Sequence, residues 1–93
     1  MTSPQQTTDQ ILKERGSRYG VFADHARYTQ LLKGVLASGP GYKICTHSQK
    51  EALDMIAHKL GRIINGDPNY ADSWVDIAGY AQLIVKELEG EKV

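Results

Sequence analysis

The chain has 93 residues, 41% of them hydrophobic, and eleven Lys and Arg balance eleven Asp and Glu to a formal net charge of zero. This length allows only one domain of ordinary globular composition, and a neutral chain lacks the cationic excess needed to coat a nucleic-acid polymer. Because so short a chain buries only about 60–65% of its unfolded surface, very regular helix packing or self-association must add stability, and we expect a homo-oligomer with a pocket between subunits.

The sequence pattern predicts an all-α fold, a compact bundle of about four helices with a short first one, in a single domain over residues 1–93. Residues 1–6 and 89–93 are expected to be frayed ends. Thr7 and Gln10 have the spacing of a capping box, which predicts a first helix that ends at Arg15. The following residues, Gly16 to Gly20, are predicted to form a loop that a ligand can approach closely.

The middle of the chain contains signals for two longer helices. The second helix is expected to start near Ala23 and Asp24 and to end before Gly39-Pro40, with an apolar stripe that includes Phe22, Ala26 and Val35. A Gly/Pro loop over residues 38–45 follows. Thr46 and Gln49 form another capping box, which opens a third helix that should end at Asn65-Gly66.

The last two helices have long apolar stripes that we expect to form the core. In the third helix the stripe consists of Leu53, Ile56, Ala57, Leu60, Ile63 and Ile64. Asp67-Pro68 either opens the last helix or forms a turn before a start nearer Ala71, and the helix should reach about Leu88. Its stripe consists of Trp74, Ile77, Ala78, Ala81, Ile84, Val85 and Leu88.

Charged residues occupy the other sides of these two helices. Carboxylate, imidazole and guanidinium groups are neighbours in the third helix, and two carboxylates lie one turn apart in the last; the residues are Glu51, Asp54, His58, Lys59, Arg62, Asp72 and Asp76. A solvated surface with pairs such as Asp54 and His58 is the simpler interpretation. Gly61 and Gly79 lie in the middle of these helices, which indicates close approach of a ligand, of another helix, or of a helix within the monomer.

The four carboxylates also permit a metal site. Glu51, Asp54, Asp72 and Asp76 would supply the oxygen ligands that Mg²⁺ prefers. One cysteine and three histidines do not make a thiolate site for a transition metal.

A basic and aromatic cluster permits a phosphate site instead. Arg15, Arg18 and Tyr19 lie in or beside the predicted glycine loop, where guanidinium and backbone N–H groups would contact phosphate oxygens. Tyr19, Phe22 or Tyr70 would stack on a nucleobase. The alternative is an arginine-capped turn with a buried tyrosine. For His25, near the start of a helix, a neutral and hydrogen-bonded structural role is the default.

Several short motifs occur together in this chain. They are Glu14-Arg15-Gly16, Arg18-Tyr19-Gly20, Asp24-His25-Ala26, Glu51-Ala52, His58-Lys59, Arg62-Ile63, Asn65-Gly66-Asp67-Pro68, Asp72-Ser73-Trp74 and Asp76-Ile77-Ala78-Gly79-Tyr80-Ala81. As a set, over residues 10–88, they resemble a family of small all-helical proteins that are encoded by phages and have no known function.

That family is loosely similar to phage nucleotide-modification-associated domains and to MazG-like all-α nucleoside triphosphate pyrophosphohydrolases, which build Mg²⁺ sites in oligomeric bundles. Asp72, Asp76, Tyr80, Lys59 and Arg62 carry this second similarity. The second helix departs from it, because it lacks the E-x-x-E pair of the MazG-like pattern. In size and oligomeric habit the chain is also similar to phage sponge proteins that sequester cyclic-nucleotide or cyclic ADP-ribose signals of bacterial defence.

The resemblance and the residues together lead us to expect a phage protein in the host cytosol that binds and sequesters a small phosphorylated nucleotide, first of all a cyclic-nucleotide immune signal. No membrane partner is expected, because no segment is apolar enough for a signal peptide or a membrane span. No cofactor is expected for a binding protein, whereas the enzyme alternative would use Mg²⁺. The expected ligand-binding residues are Arg15, Arg18, Tyr19, His25, His58, Lys59, Arg62, Tyr70, Asp72 and Asp76.

Two alternatives remain open. One is a Mg²⁺-dependent nucleoside triphosphate pyrophosphohydrolase that uses the four carboxylates as metal ligands. The other is a module whose polar surfaces bind a host protein.

Overall fold

A computed structural model describes residues 7–93, and in this part of the chain four α-helices pack into a bundle. The helices are α1 (Thr8–Tyr19), α2 (Phe22–Ser38), α3 (His47–Asn65) and α4 (Ala71–Leu88), with a short 3-10 helix at Pro40–Ile44. The described residues contain no strand, which confirms the predicted all-α class. In the same part of the chain no helix is long and apolar enough to cross a membrane. The predicted N-terminal fraying at residues 1–6 lies outside the described residues.

Both predicted capping boxes are present. The Thr7 hydroxyl accepts from the Gln10 backbone N–H at 3.1 Å, and the Gln10 side chain accepts from the Thr7 N–H at 2.8 Å. Thr46 and Gln49 make the same reciprocal pair at 3.0 and 2.9 Å. The ends of α3 and α4 fall where the sequence predicts, and α4 takes the later of its two predicted starts.

The first helix is longer than predicted. It continues through Gly16 to Tyr19, so the predicted loop at residues 16–20 is the last turn of α1. Gly20 ends the helix with a φ of 80°, and its N–H donates to the Gly16 carbonyl at 2.9 Å. An ion pair of 3.2 Å between Glu14 and Arg18 spans the glycine and supports the continued helix. A helix C-terminus presents carbonyl groups rather than N–H groups. The prediction that backbone N–H groups of residues 16–20 contact phosphate is therefore wrong.

The connection between α2 and α3 also has more structure than the predicted loop. The Tyr42 and Cys45 N–H groups donate to the carbonyls of Gly39 and Tyr42, each at 3.1 Å, and so form a 3-10 helix. Pro40 stands at its first position, where the lack of an N–H costs nothing.

The third helix is the centre of the bundle. It packs against α2 and against α4, and α1 contacts α2 and α3. Few described residues are buried; they are His25, Thr29, Ala52, Ala57, Gly61, Ile63 and Ser73. The apolar core of one chain is therefore slight.

Several residues predicted for the core are exposed. In α2, His25 and Thr29 face α3, while Phe22 and Val35 are 76% and 70% exposed. Ile64 in α3 is exposed as well, and in α4 the buried residue is Ser73 while the stripe leaves Trp74, Ala78, Ala81, Val85 and Leu88 exposed. The apolar stripes of α2 and α4 lie beside their contacts with α3 rather than in them.

The two mid-helix glycines have different surroundings. A Cβ at Gly61 would collide with the Thr29 hydroxyl and lie 3.0 Å from His25 Nδ1, so this glycine permits the close packing of α2 on α3. Around Gly79 there is no heavy atom that an added Cβ would meet. Packing within the monomer therefore explains Gly61 but not Gly79.

Candidate functional site

Hydrogen bonds hold the end of α1 against the turn between α3 and α4. The Arg18 carbonyl accepts from the Asp67 N–H at 2.7 Å. The Asn65 side-chain amide donates to the carbonyls of Tyr19 and Val21 at 2.9 and 3.0 Å. The bonds to Arg18 and Tyr19 satisfy carbonyls that the end of α1 leaves without helical partners. The Asn65-Gly66-Asp67 segment thereby fixes the position of the Arg18-Tyr19-Gly20 segment.

Two glycines allow this contact. Gly20 packs against the Asn65 main chain, and a Cβ at Gly66 would collide with the Arg18 carbonyl and Tyr19 Cα. The two motifs thus meet backbone to backbone, with no room for a side chain between them.

A cavity of about 550 Å³ opens beside this junction, and we name it the large cavity. Its walls come from α1, from the start of α2 and from α3. Apolar and aromatic side chains form most of the lining, with two histidines and two arginines among them; the residues are Leu12, Arg15, Gly16, Tyr19, Gly20, Val21, Phe22, His25, His58 and Arg62. Such a lining, apolar with a few polar groups, is typical of small-molecule sites.

A second cavity of about 330 Å³, the small cavity, adjoins the first. The two share Arg15, Tyr19 and Arg62, and the small cavity adds Ile11, Glu14 and Arg18. Its lining therefore carries three guanidinium groups against one carboxylate. Guanidinium groups bind phosphate and carboxylate oxygens in a bidentate manner, so this end of the site suits an anion.

Aromatic rings support two of these arginines. The Arg62 guanidinium lies 4.2 Å from the centre of the Tyr19 ring, and that of Arg18 lies 4.6 Å from the centre of the Tyr70 ring. Arg18 also donates to the Tyr70 hydroxyl at 2.9 Å, which donates to the Asp72 carboxylate at 2.8 Å. The hydrogen bond to Asp72 raises the pKa of Tyr70. Stacking and hydrogen bonding hold the guanidinium planes in place before any ligand binds.

His25 and His58 form a pair at the inner wall of the large cavity. His25 Nε2 and His58 Nδ1 are 3.3 Å apart, and the rings meet edge to face. Burial, followed by the nearby Arg62 charge, lowers the pKa of His58 to about 4. Burial also lowers the pKa of His25, while the Gly61 backbone acts in the opposite direction. Both imidazoles are therefore neutral at pH 7, as expected for His25.

His25 Nδ1 and the Thr29 hydroxyl are buried without a hydrogen bond of good geometry, although both lie against Gly61. No hydrogen bond joins His58 to Asp54, because His58 turns towards α2 instead.

The structure brings together most, but not all, of the predicted ligand-binding residues. Arg15, Tyr19, His25, His58 and Arg62 line the large cavity, while Arg18 reaches the small cavity with Tyr70 and Asp72 behind it. Lys59 lies elsewhere and forms an ion pair of 2.8 Å with Asp76. The Lys59 side chain is only 12% exposed. Its ammonium group, which was expected to contact phosphate, is paired with the Asp76 carboxylate instead.

The four carboxylates proposed for a metal do not converge in this chain. Asp72 accepts from Tyr70 and Asp76 binds Lys59. Among the described residues, no group of three or more His, Cys, Asp or Glu side chains is arranged to hold a metal ion.

Sequence reasoning missed three contributors to the site. Leu12 and Val21 form apolar walls of the large cavity, and Asn65 ties the site together. Leu12 in α1 and Val21 before α2 are exposed apolar residues, which is a signal for a binding site. This signal could be used only with the correct length of α1, because the cavity depends on that helix reaching Tyr19.

Fold and site together define a small all-α protein with a basic, partly apolar cavity at the junction of three helices. Residues 5–88 match the model of a family described as a domain of unknown function, DUF6378. The match covers most of the chain, and the protein belongs to this family. No curated protein and no solved structure matches the chain.

Proposed function

We propose that the protein binds and sequesters a small phosphorylated nucleotide at the two adjoining cavities. The observation that carries this proposal is the pair of arginines, Arg15 and Arg62, at the boundary between an apolar cavity and a basic one. A nucleotide has the matching chemistry, with an aromatic base next to an anionic phosphate.

In this arrangement the phosphate lies in the small cavity and the base in the large one. Arg15, Arg18 and Arg62 contact phosphate oxygens, and the charge-assisted bonds from guanidinium groups are the stronger kind of hydrogen bond. Tyr19 and Phe22 offer ring faces to the base, whose stacking on an aromatic side chain contributes about 1–3 kcal/mol.

The neutral histidines suit the base end of this site. His58 uses Nδ1 towards His25, which leaves Nε2 to exchange a hydrogen bond with a polar edge of the base or ribose. Because a neutral imidazole brings no charge, the cationic groups remain concentrated at the phosphate end.

The proposal extends to biological setting and assembly. The resemblance of the motifs to phage-encoded proteins supports a role in the host cytosol during infection, with a cyclic-nucleotide signal of bacterial defence as the first ligand to test. Self-association is part of the proposal because the core of one chain is slight, and the lining of both cavities already includes basic and aromatic groups that suit the ligand.

A thermal-shift panel of linear and cyclic nucleotides, each with and without Mg²⁺, tests this proposal. A binding ligand at 100 times its Kd should stabilise the fold by about 2.7 kcal/mol. The ligand of any positive sample is then recovered and identified by chromatography. We expect intact ligand and a response that does not need Mg²⁺.

The other outcomes are equally distinct. Release of pyrophosphate from a nucleoside triphosphate would replace sequestration with the pyrophosphohydrolase alternative. No response to any nucleotide, together with capture of a defined host protein through Arg62 and Tyr19, would replace it with the interaction module.

A further inference from the structure

The surface of the bundle opposite the cavities is apolar. The Leu53, Ile56, Leu60 and Ile64 positions follow one another along one side of α3, and Trp74, Ala78, Ala81, Val85 and Leu88 do so along α4. On α2, Val35 lies across the helix from Phe22, which lines the large cavity. We name this surface the apolar face; its most exposed side chains are Leu31, Val35, Ile44, Ile64, Trp74, Val85 and Leu88.

A groove runs through the middle of the apolar face. It has a volume of about 580 Å³ and lies between α3, α4 and the 3-10 helix. Its lining includes small residues such as Ala52 and Ala81 and larger ones such as Leu53, Ile56 and Ile84. None of the side chains that we have placed on the apolar face carries a charge.

The extent of this face is that of a dimer interface. The seven most exposed side chains are 45% to 86% exposed. They leave on the order of 900 Å² of surface, close to the roughly 800 Å² that each partner contributes to a standard interface. Isolated exposed apolar residues are ordinary, but a continuous face of this size is an interaction site.

We infer that a second copy of this chain covers the apolar face. Among the described residues, only Ala52, Ala57 and Ile63 are buried hydrophobic residues, so a partner on this face adds the apolar burial that one chain lacks. A second copy of the chain is a partner that is available wherever the protein is made. The net charge of zero imposes no repulsion between copies. A two-fold symmetric contact places the same face of both copies together, which suits an apolar face.

This arrangement has a consequence for the proposed site. The contact uses the side of α3 that carries Leu53 and Ile56, whereas His58 and Arg62 lie on the side of the cavities. Each copy in the dimer therefore keeps its own pair of cavities open on the outer surface.

Three valines provide a matched test by analytical ultracentrifugation. Val35 and Val85 lie on the apolar face, while Val75 lies on the side of α4 that points away from α3; they are 70%, 45% and 65% exposed. We expect the wild type to sediment as a dimer of the 10.3 kDa chain. Val35→Glu and Val85→Glu should raise the dimer dissociation constant at least about tenfold, which is about 1.4 kcal/mol, while Val75→Glu should leave it unchanged.

A monomer at all concentrations would overturn the inference, as would equal weakening by all three substitutions. Circular dichroism shows whether each variant keeps its helices. If the variants on the apolar face unfold, the wild-type Tm decides, because the Tm of a dimer rises with protein concentration. A Tm that does not depend on concentration would contradict the inference.

Discussion

The two open sides of α3 differ in how their residues are held. On the cavity side, Arg18, Arg62 and His58 each stack on or hydrogen-bond to another side chain, and Asn65 locks the backbone around them. On the apolar face, the side chains of Ile44, Trp74 and Leu88 are 86%, 51% and 72% exposed, with little of the chain above them.

This difference separates what one chain completes from what it leaves open. The cavity side is preorganised within a single copy, so a ligand meets groups that already have fixed positions. The apolar face is unfinished in a single copy, since its exposed surface is the part that folding alone does not bury. One helix thus serves a ligand on one side and an assembly on the other.

Among substitutions that should disturb the cavity side but not the apolar face, we expect the largest loss of stability at Gly66. A Gly66→Ala side chain would collide with the backbone of Arg18 and Tyr19, so we expect a loss of about 3 kcal/mol in the free energy of unfolding. Urea denaturation measures this loss. The variant should lose ligand binding because α1 no longer docks, yet remain a dimer because the apolar face is unchanged.

Gly79→Ala is the matched control for Gly66→Ala. It meets no atom and should stabilise α4 by about 0.5–1 kcal/mol. Equal effects of the two substitutions would contradict the close backbone contact at Gly66.

A smaller effect is expected at Asn65. Asn65→Ala removes two hydrogen bonds and leaves the Tyr19 carbonyl without its donor, which should cost about 1–3 kcal/mol; the Val21 carbonyl still accepts from the His25 N–H. Hydrogen exchange should show faster opening of α1 than of α4. In Asn69→Ala, where the backbone rather than the side chain makes the observed bond, the exchange of α1 should stay as in the wild type.

The pH dependence of stability should reveal the buried histidine pair. The pKa of His58 falls from 6.5 to about 4 on folding, so between these values the unfolded chain binds the proton more readily. The free energy of unfolding should therefore be highest above pH 6.5 and decrease as the pH falls towards 4. His58→Gln should flatten this decrease, whereas His47→Gln, at an exposed position, should not. An unchanged slope in His58→Gln would disprove the assignment.

Local signals predicted the helix boundaries well and the core poorly. Thr7, Gln10, Thr46 and Gln49 act within one turn, so their spacing was enough to place two helix starts. Gly16 is typical of a helix end, but the helix continues past it. An ion pair across Gly16 and a hydrogen bond from the Asp67 N–H to the last turn of α1 stabilise this continuation. Such stabilisation from distant residues is not visible in a local pattern.

The apolar stripes were identified correctly as stripes, but among them only the α3 stripe contributes buried residues to the monomer core. A stripe indicates that a helix side avoids water, and it does not say whether the cover comes from the same chain. For the site, the residue types at Arg15, Tyr19 and Arg62 were readable from sequence. The pairing of Lys59 with Asp76 was not, because it depends on how α3 and α4 face each other.

The most direct test of the account is a calorimetric titration of the best nucleotide from the panel into three proteins: the wild type, Arg62→Gln and Arg27→Gln. Both arginines lie over a tyrosine ring, at 4.2 Å for Arg62 and 4.6 Å for Arg27, but only Arg62 lines the cavities. The account predicts that Arg62→Gln raises Kd at least about tenfold and that Arg27→Gln leaves Kd unchanged. Wild-type affinity in Arg62→Gln would contradict it.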